Sequence, residues 1–362
     1  MPNAQAELII QRNIPLSDHT TIGLGGRARL FAHCSSVESL QAALAYARRR
    51  KLRVQILGGG SNTIFADRGF GGLVLKVGLH GVSFREGDRR AEVTAGAGEQ
   101  WDDLVVQSIA RGLAGIECLS GIPGCVGATP IQNVGAYGQE VGDSIVRVRG
   151  IDVRTLEIVE FSAKECGFRY RQSRFKARDA GRYLIVDATF SLERNVPPVI
   201  RYGELARYLE SLTPPVSLEA GTPGLSRVRS AVLQLRRGKS MVIDPADPDS
   251  RSAGSFFVNP VLTQEQFLRI ERRWRKTGAG EPIVAYPSAG GLKIPAAWLV
   301  EHAGFKKGYR KKRAGISTHH ALALVNHGGS TRELLALARE IERGVFKTFT
   351  IRLEREPVVV KF

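Results

Sequence analysis

The stretch "SGIPGCVGATPIQNVGAYG" (residues 120–138) decides how the rest of this sequence is interpreted. It holds five glycines in nineteen residues and no charged side chain. A surface loop of this length normally carries polar side chains, because its backbone runs through water. A long loop that is apolar and rich in glycine is typical of a segment that packs closely against a flat or extended ligand. The stretch therefore indicates a site for a nucleotide-type cofactor, such as a flavin with its diphosphate.

A second glycine cluster, "LGGGSN" (57–62), follows the short strand-like run "RVQIL". Successive glycines permit positive φ angles and expose bare N–H groups, and Ser61 and Asn62 add side-chain donors for phosphate oxygens. The cluster matches neither GxGxxG nor GxxxxGK[ST], so neither nucleotide-binding fingerprint applies. A tight turn between two strands would explain the cluster equally well, and both interpretations stay open at this point.

Length and composition limit the class of protein. The 362 residues exceed the usual size of one core, so two or three domains are expected. No apolar run reaches the roughly 18–20 residues that cross a bilayer, and the start "MPNAQAELIIQRNIPL" lacks the features of a signal peptide. We therefore expect a cytoplasmic protein without membrane insertion. The four cysteines form no CxxC pair, which favours structural thiols and no metal site.

The formal net charge of +17 raises two ideas, binding of nucleic acid or attraction of small anionic ligands. Dense basic patches occur at residues 47–53 and 305–313. Neither patch is interleaved with the aromatic residues on which single-stranded nucleic acids stack. A solvated basic face is at least as good an explanation, so charge alone does not separate these alternatives.

Periodicity predicts alternating strands and helices in the first seventy-odd residues, as in a βαβ unit. Ser35 and Glu38 are expected to form a capping box for the first helix, with Val37, Leu40, Leu44 and Ala47 on one face. Between residues 78 and 238 the expected strands are "AEVTAG", "VRVRGIDV", "EIVEF" and "YLIVDATFSL", with one helix beginning near Glu99 and another ending near Arg237.

The third block, residues 239–345, is expected to hold helices starting at Thr263, near Pro295 and at Ser330, plus the strand "ALALV". Thr263 with Gln266, and Ser330 with Glu333, match the capping-box pattern. The alternating tail "TFTIRLEREPVVVKF" is predicted to form a C-terminal strand, assigned to residues 346–362.

Six motifs in one order carry a family resemblance that covers residues 19 to 358. They are "HTTIGLGG" (19–26), "LGGGSN" (57–62), "IPGCVGATPIQNVGAYGQE" (122–140), "FRYRQSRFK" (168–176), "SAGSFFVNP" (252–260) and "LEREP" (353–357). Together they resemble the UDP-N-acetylenolpyruvoylglucosamine reductase (MurB) family, flavoproteins of bacterial cell-wall synthesis. The tyrosine in "VIRYGEL" (199–205) further resembles the subtype whose third domain carries an extra substrate-covering loop.

The resemblance implies an α+β fold, with a two-subdomain FAD-binding part of the p-cresol methylhydroxylase / vanillyl-alcohol oxidase type and a C-terminal α+β substrate domain. We expect the first FAD-binding subdomain at 1–77, completed by the strand within 346–362, the second at 78–238, and the UDP-sugar domain at 239–345. It also implies non-covalent FAD, NADPH as hydride donor and UDP-N-acetylglucosamine enolpyruvate as the substrate reduced to UDP-N-acetylmuramate. Oligomeric state stays open, and a monomer is compatible with the sequence.

The same resemblance assigns three catalytic residues. Hydride reaching the terminal CH2 of the enolpyruvyl group leaves negative charge on the neighbouring carbon, which then needs a proton and charge stabilisation. By similarity, Ser255 delivers the proton and Arg171 binds the carboxylate through its two-pronged guanidinium. Glu356 matches a carboxyl group that faces the intermediate, so we expect it to be protonated or water-bridged. Arg355 precedes it where proline is commoner in the family, which leaves the local backbone open.

Binding residues are assigned by the same resemblance. Tyr202, Lys239 and Asn259 match positions that contact the UDP-sugar, with Lys239 at the diphosphate. His320 stands where some members have glutamine and is expected near the uridine or the nicotinamide. The residues expected to hold FAD are Gly58, Gly59, Gly60, Ser61 and Asn62 in the first loop and Ile122, Pro123, Gly124, Gly127 and Gly135 in the second.

Two other functions compete with this one. A flavin oxidase of the same broad fold would often attach its flavin through histidine or cysteine, and His19 and Cys125 are the nearby candidates. A basic nucleic-acid-binding protein would bind less tightly as salt rises, but it leaves both glycine loops and "GSFFVNP" unexplained. A family member without activity is disfavoured because Arg171, Ser255 and Glu356 are all present.

Overall fold

The computed structural model describes residues 8–213, 217–276, 278 and 281–362. The first seven residues, on which the search for a targeting signal partly rests, lie outside the described part. The chain divides into two compact units. The first comprises the residues up to Ile14 with Ala28–Gly60 and Phe70–Val242, and the second comprises Pro15–Arg27, Ser61–Gly69 and Ile243–Phe362. The three domain boundaries predicted from the sequence stay a prediction.

Helices and strands alternate along the chain. The helices of the described residues are α1 (Val37–Arg49), α2 (Trp101–Ala110), α3 (Ala163–Cys166), α4 (Gly203–Glu210), α5 (Thr222–Arg237), α6 (Gln264–Arg275), α7 (Ala296–His302) and α8 (Thr331–Phe349). The strands are β1 (Gln11–Pro15), β2 (Arg27–Cys34), β3 (Val54–Leu57), β4 (Thr63–Phe65), β5 (Phe70–Val77), β6 (Val82–Glu86), β7 (Arg90–Gly96), β8 (Leu113–Ala114), β9 (Gly135–Ala136), β10 (Gln139–Glu140), β11 (Ile145–Asp152), β12 (Ile158–Ser162), β13 (Tyr183–Arg194), β14 (Ser252–Ser255), β15 (Val261–Leu262), β16 (Tyr286–Ser288), β17 (Gly291–Lys293), β18 (Arg310–Lys311), β19 (Ala314–Ile316), β20 (Ala323–Asn326) and β21 (Val358–Val360).

A four-stranded sheet of the first unit has the order β1-β2-β5-β3, with β2 and β3 both parallel to β5. Helix α1 connects β2 to β3 and buries Leu40, Leu44 and Ala47, which confirms the predicted βαβ unit and its apolar face. The predicted capping box was wrong by one residue. The helix begins at Val37, and the Ser36 and Ser39 hydroxyls each accept a hydrogen bond of 3.1 Å from the other residue's backbone N–H.

An antiparallel sheet with the order β12-β11-β13-β7-β6 forms the other layer of the first unit, and β8 pairs with β13. Alternate residues such as Val93, Val148 and Phe190 are fully buried, because successive side chains of a strand point to opposite faces. The four strands predicted in this region are β7, β11, β12 and β13, and all four predictions are confirmed.

The second unit contains the sheets β14-β20-β19-β18 and β15-β17-β16 and the parallel pair β21-β4. Its core is rich in aromatic residues, with Phe256, Phe257 and Phe349 at 2% exposure or less. The predicted capping boxes at Thr263 and Ser330 are both confirmed as the N-caps of α6 and α8.

The C-terminal tail differs from its prediction. Residues up to Phe349 continue α8, because Val345 and Phe349 extend the buried face of that helix. Only Val358–Val360 form a strand, β21, which pairs with β4. The apolar residues Ile351 and Leu353 are buried but do not pair with a strand. The alternation of apolar residues in this segment therefore indicates burial and does not indicate a strand.

In the part of the chain that the structure describes, no helix is long and apolar enough to cross a membrane. The four cysteines are buried and form no disulfide. Burial raises the pKa of the Cys118 and Cys125 thiols, so both are protonated at neutral pH.

Candidate active site and cofactor cradle

The two glycine loops touch each other in the first unit. A Cβ on Gly59 would lie 2.6 Å from the Gly124 Cα and 3.1 Å from the Gly124 carbonyl carbon. Gly60 and Gly124 both have positive φ angles, of 72° and 122°. Side chains are therefore excluded from this contact, and the backbones of the two loops form one surface.

The first loop presents amide donors. Among the described residues, the N–H groups of Gly59 and Gly60 make no hydrogen bond, and Gly60 is buried. Buried N–H groups normally have a partner, so these two suit an anionic ligand such as a diphosphate. The boundary between the two units falls after Gly60, so the predicted donors Ser61 and Asn62 belong to the second unit.

The second loop is tied to the start of α2. The N–H of Trp101 donates to the Gly124 carbonyl at 2.9 Å, and the N–H of Gly127 donates to the Ala97 carbonyl at 3.0 Å. A Cβ on Gly127 would lie 2.5 Å from the Ala97 Cβ. Ile122 and Pro123 are half-buried at the start of the loop. Backbone hydrogen bonds thus fix the loop, and its small residues leave its backbone uncovered by side chains.

Arg171 lies in a turn whose ends, Arg169 and Gln172, exchange backbone hydrogen bonds of 3.0 and 2.9 Å. Its φ of +53° is uncommon for a residue with a side chain and is typical of positions held for function. The guanidinium Nη2 donates to the Gly135 carbonyl at 2.6 Å and stacks on Tyr170, 5.1 Å from the ring centroid. Two of the predicted site residues, Arg171 and Gly135, are therefore in direct contact.

Lys239 and Tyr202 gather around Tyr137, a residue that the sequence did not single out. The Tyr137 and Tyr202 rings pack edge to face at 5.6 Å, and the Lys239 amine lies 5.7 Å from the Tyr137 ring. Lys239 also pairs with Glu204 at 2.7 Å. Burial raises the pKa of Tyr137 to about 12, so its hydroxyl is a donor at neutral pH.

Ser255 ends β14 in the second unit, where it pairs with Ala323 of β20. Gly254 before it has a φ of 73° and lies within β14, where the register shifts between Ser252 and Ser255. Phe256 and Phe257 after it are buried in the core of the unit. The Ser255 side chain is half-buried, and its hydroxyl makes no hydrogen bond within the described residues. The two phenylalanines therefore anchor the strand that carries this hydroxyl.

Hydrogen bonds connect Asn62 to Glu356, and Glu356 to the residue that follows Ser255. The N–H of Glu356 donates to the Phe256 carbonyl at 2.9 Å, and the Asn62 side chain donates to the Glu356 carbonyl at 3.2 Å. On the other side, the N–H of Phe256 donates to the Leu322 carbonyl at 2.8 Å, two residues after His320. In the second unit, the residue after Ser255 is thus hydrogen-bonded to the backbones of Glu356 and Leu322.

Asn259 has a structural contact in addition to its predicted role. Its Oδ1 accepts a hydrogen bond of 2.8 Å from the N–H of Ala296, the first residue of α7. A side-chain oxygen at this place satisfies one of the open N–H groups of the helix. The predicted contact between Asn259 and substrate stays a prediction.

A model of the UDP-N-acetylenolpyruvoylglucosamine reductase C-terminal domain matches residues 245–360, and a model of an FAD binding domain matches residues 28–162. The UDP-N-acetylenolpyruvoylglucosamine reductase of Thermobifida fusca is 48% identical over 96% of this chain and 97% of its own length. The chain belongs to the UDP-N-acetylenolpyruvoylglucosamine reductase family.

Other members agree with this assignment. The reductase of Mycolicibacterium smegmatis is 45% identical over 97% of this chain and 95% of its own length. The crystal structure of the Thermus caldophilus reductase superimposes with a TM-score of 0.64 at 23% identity, covering 98% of both chains. The family fold therefore applies to the whole chain, including an FAD-binding part of the p-cresol methylhydroxylase / vanillyl-alcohol oxidase type.

The residues of the cradle fit FAD. The matched FAD-binding region contains both the first loop up to Gly60 and the second loop from Gly121 to Gly127. The amides of Gly59 and Gly60 suit the cofactor diphosphate, and the bare surface of the second loop suits a flat ring system.

We expect Gly59→Ala to weaken FAD binding and to lower the free energy of unfolding by about 1–3 kcal/mol, because the new methyl group must displace the Gly124 backbone. Gly58→Ala is the matched control for the free energy of unfolding, since its Cβ would meet only the Cys125 Cβ at an ordinary 3.8 Å. Thermal melts of both variants, and FAD titrations followed by flavin fluorescence, measure the two effects. Equal melting temperatures for Gly59→Ala and wild type would contradict the loop contact.

Several residues that shape the reductase site escaped the sequence analysis. Thr21, in "HTTIGLGG", donates to the Ser252 carbonyl at 2.7 Å, so this motif supports the strand of Ser255. Asp249 accepts hydrogen bonds from the Thr318 N–H at 2.7 Å and from the Ser317 hydroxyl at 3.1 Å. Burial raises the pKa of Asp249, but these hydrogen bonds outweigh it and hold the pKa below its usual value. Of these residues, only Thr21 lies in one of the motifs that carry the family resemblance.

Proposed function

We propose that this chain reduces UDP-N-acetylglucosamine enolpyruvate to UDP-N-acetylmuramate with NADPH, a cytoplasmic step of peptidoglycan precursor synthesis. The observation that carries the proposal is the hydrogen bond from the Glu356 N–H to the carbonyl of Phe256, the residue after Ser255, in a chain that matches a named reductase over 96% of its length. "VIRYGEL", with Tyr202, further supports the subtype with the extra substrate loop.

FAD, when bound, would take hydride from NADPH and supply it to the terminal carbon of the enolpyruvyl group, which becomes a methyl group. The neighbouring carbon then carries negative charge that spreads into the carboxylate. Arg171 would bind this carboxylate, because its guanidinium holds a fixed charge and two parallel donors. Its contact with the Gly135 carbonyl and the Tyr170 ring orients the guanidinium for that role.

Ser255 would donate the proton that completes the reaction. A hydroxyl is a weak acid, so the step depends on neighbours that stabilise the alkoxide or relay a proton to it. Glu356, whose backbone N–H donates to the carbonyl of Phe256, the residue after Ser255, is a carboxyl group of the same unit. A protonated or water-bridged Glu356 would polarise the developing enolate without repelling it.

Lys239, Tyr202, Asn259 and His320 would bind the UDP-sugar. Lys239 pairs with Glu204, so a diphosphate at Lys239 would have to exchange with that carboxylate. Tyr202 is 44% exposed, which leaves its ring available to cover a ligand. The net charge of +17 would raise the local concentration of both anionic substrates.

Covalent attachment of flavin through Cys125 is not favoured. Burial raises the pKa of this thiol, and it is the thiolate that reacts as a nucleophile. We therefore infer that FAD is held without a covalent bond, and release of the flavin on acid precipitation tests this.

The test of the proposed function is anaerobic stopped-flow spectroscopy of the flavin colour in two half-reactions. We expect NADPH to bleach the flavin, and UDP-N-acetylglucosamine enolpyruvate to restore the colour with formation of UDP-N-acetylmuramate, identified by mass spectrometry. UDP-N-acetylglucosamine, which lacks the enolpyruvyl group, is the control and should not restore the colour. Reoxidation by oxygen alone would instead indicate the oxidase.

A further inference from the structure

Lys76 is a half-buried lysine next to the first glycine loop. It belongs to β5, where it pairs in parallel register with Leu57, the last residue of β3. Its Nζ donates a hydrogen bond of 2.5 Å to the carbonyl of Gly58, the first residue of the loop. The amine therefore lies at the point where β3 ends and the loop begins.

Little negative charge surrounds the Lys76 amine to compensate its positive charge. No aspartate or glutamate of the described residues forms an ion pair with Lys76. Burial lowers the pKa of Lys76, and the nearby ionisable group is the Cys125 thiol, which is itself buried. Keeping an ammonium at this half-buried position costs free energy, because partial loss of water disfavours the charged form.

The hydrogen bond fixes the direction of one peptide plane. In a trans peptide the C=O and the following N–H point in opposite directions. Because the Gly58 carbonyl faces Lys76, the N–H of Gly59 faces away from it, and this N–H has no acceptor among the described residues. A peptide between two glycines turns over easily when nothing holds it.

We propose that Lys76 is a positioning residue for FAD: it locks the Gly58–Gly59 peptide so that the loop amides face the cofactor diphosphate, and its charge strengthens the attraction of the loop for that anion. The proposed role of Lys76 requires that the chain binds FAD, and it does not require the reductase activity. Failure of this proposal would therefore leave the proposed function untouched.

The test is the dissociation constant of FAD, measured on flavin-free protein by quenching of flavin fluorescence. We expect Lys76→Met to weaken FAD binding about 10- to 100-fold, the usual effect of losing a hydrogen bond from a charged group. Lys76→Gln keeps a donor for the Gly58 carbonyl but has no charge. Its affinity for FAD should therefore lie between that of Lys76→Met and that of wild type. Lys164→Met, an exposed lysine of α3 with the same change of charge, should bind like wild type.

Riboflavin separates positioning of the diphosphate from a general role in folding, because it has the ring system without phosphate. Lys76→Met should leave the riboflavin affinity unchanged while FAD affinity falls. An equal loss for both ligands, or an FAD affinity within twofold of wild type, would overturn the proposal. If Lys76→Met does not fold, the ratio of FAD to riboflavin affinity in Lys76→Gln decides in the same way.

Discussion

Ser255→Ala is expected to slow reoxidation of the flavin by UDP-N-acetylglucosamine enolpyruvate at least about 100-fold, the lower end of what a positioned proton donor contributes. Reduction by NADPH should proceed at the wild-type rate, because that half-reaction needs no proton from this hydroxyl. The fold should persist, since the Ser255 hydroxyl makes no hydrogen bond within the described residues and the flanking Phe256 and Phe257 stay buried. Anaerobic stopped-flow with each substrate in turn measures both half-reactions.

Ser252→Ala provides the matched control for this experiment. Ser252 lies on the same strand, and its side chain accepts a hydrogen bond of 3.3 Å from the Gly254 N–H, so the substitution changes local structure but no proposed proton donor. Its reoxidation rate should stay within a few-fold of wild type. If Ser255→Ala and Ser252→Ala slow reoxidation equally, Ser255 supports the strand and another group supplies the proton.

The sequence predicted best those elements whose signals are local. Thr263 and Ser330 were identified as N-caps because a capping box involves residues only three positions apart. The box at α1 was missed by one residue, since Ser36 and Ser39 form it through two serines instead of the expected serine and glutamate. In the tail, residues 346–349 belong to α8, although the predicted strand 346–362 covered them.

Site residues could be predicted where they belong to a motif. Contacts between segments that are distant in the sequence could not be predicted. Ser255, Arg171 and Glu356 came from motifs, but their catalytic roles stay predictions. The pairing of the Phe256 and Glu356 backbones, and that of Lys76 with Gly58, depend on strand register, which no periodicity in this sequence specifies. Tyr137 lay within a predicted loop and was overlooked because an aromatic residue there has no pattern of its own.

Arg171→Met is expected to lower kcat/KM for the enolpyruvyl substrate about 100- to 1,000-fold, as expected when a donor to a developing charge is lost. The guanidinium supplies a fixed charge and a planar pair of donors that methionine lacks. Arg171→Lys should recover only part of the loss, because an ammonium gives a point charge without the two-pronged geometry. Steady-state kinetics with varied substrate at saturating NADPH measures the effect.

The unusual backbone of Arg171 makes the control essential. Its φ of +53° means that a substitution could act by changing the turn instead of the chemistry. Arg169→Met removes the same charge from an exposed position of the same turn, whose backbone hydrogen bonds to Gln172 it retains. A loss confined to the Arg171 variants, with NADPH reducing the flavin normally, supports carboxylate binding. Equal losses in both would mean that the turn, and not the guanidinium, is what the reaction requires.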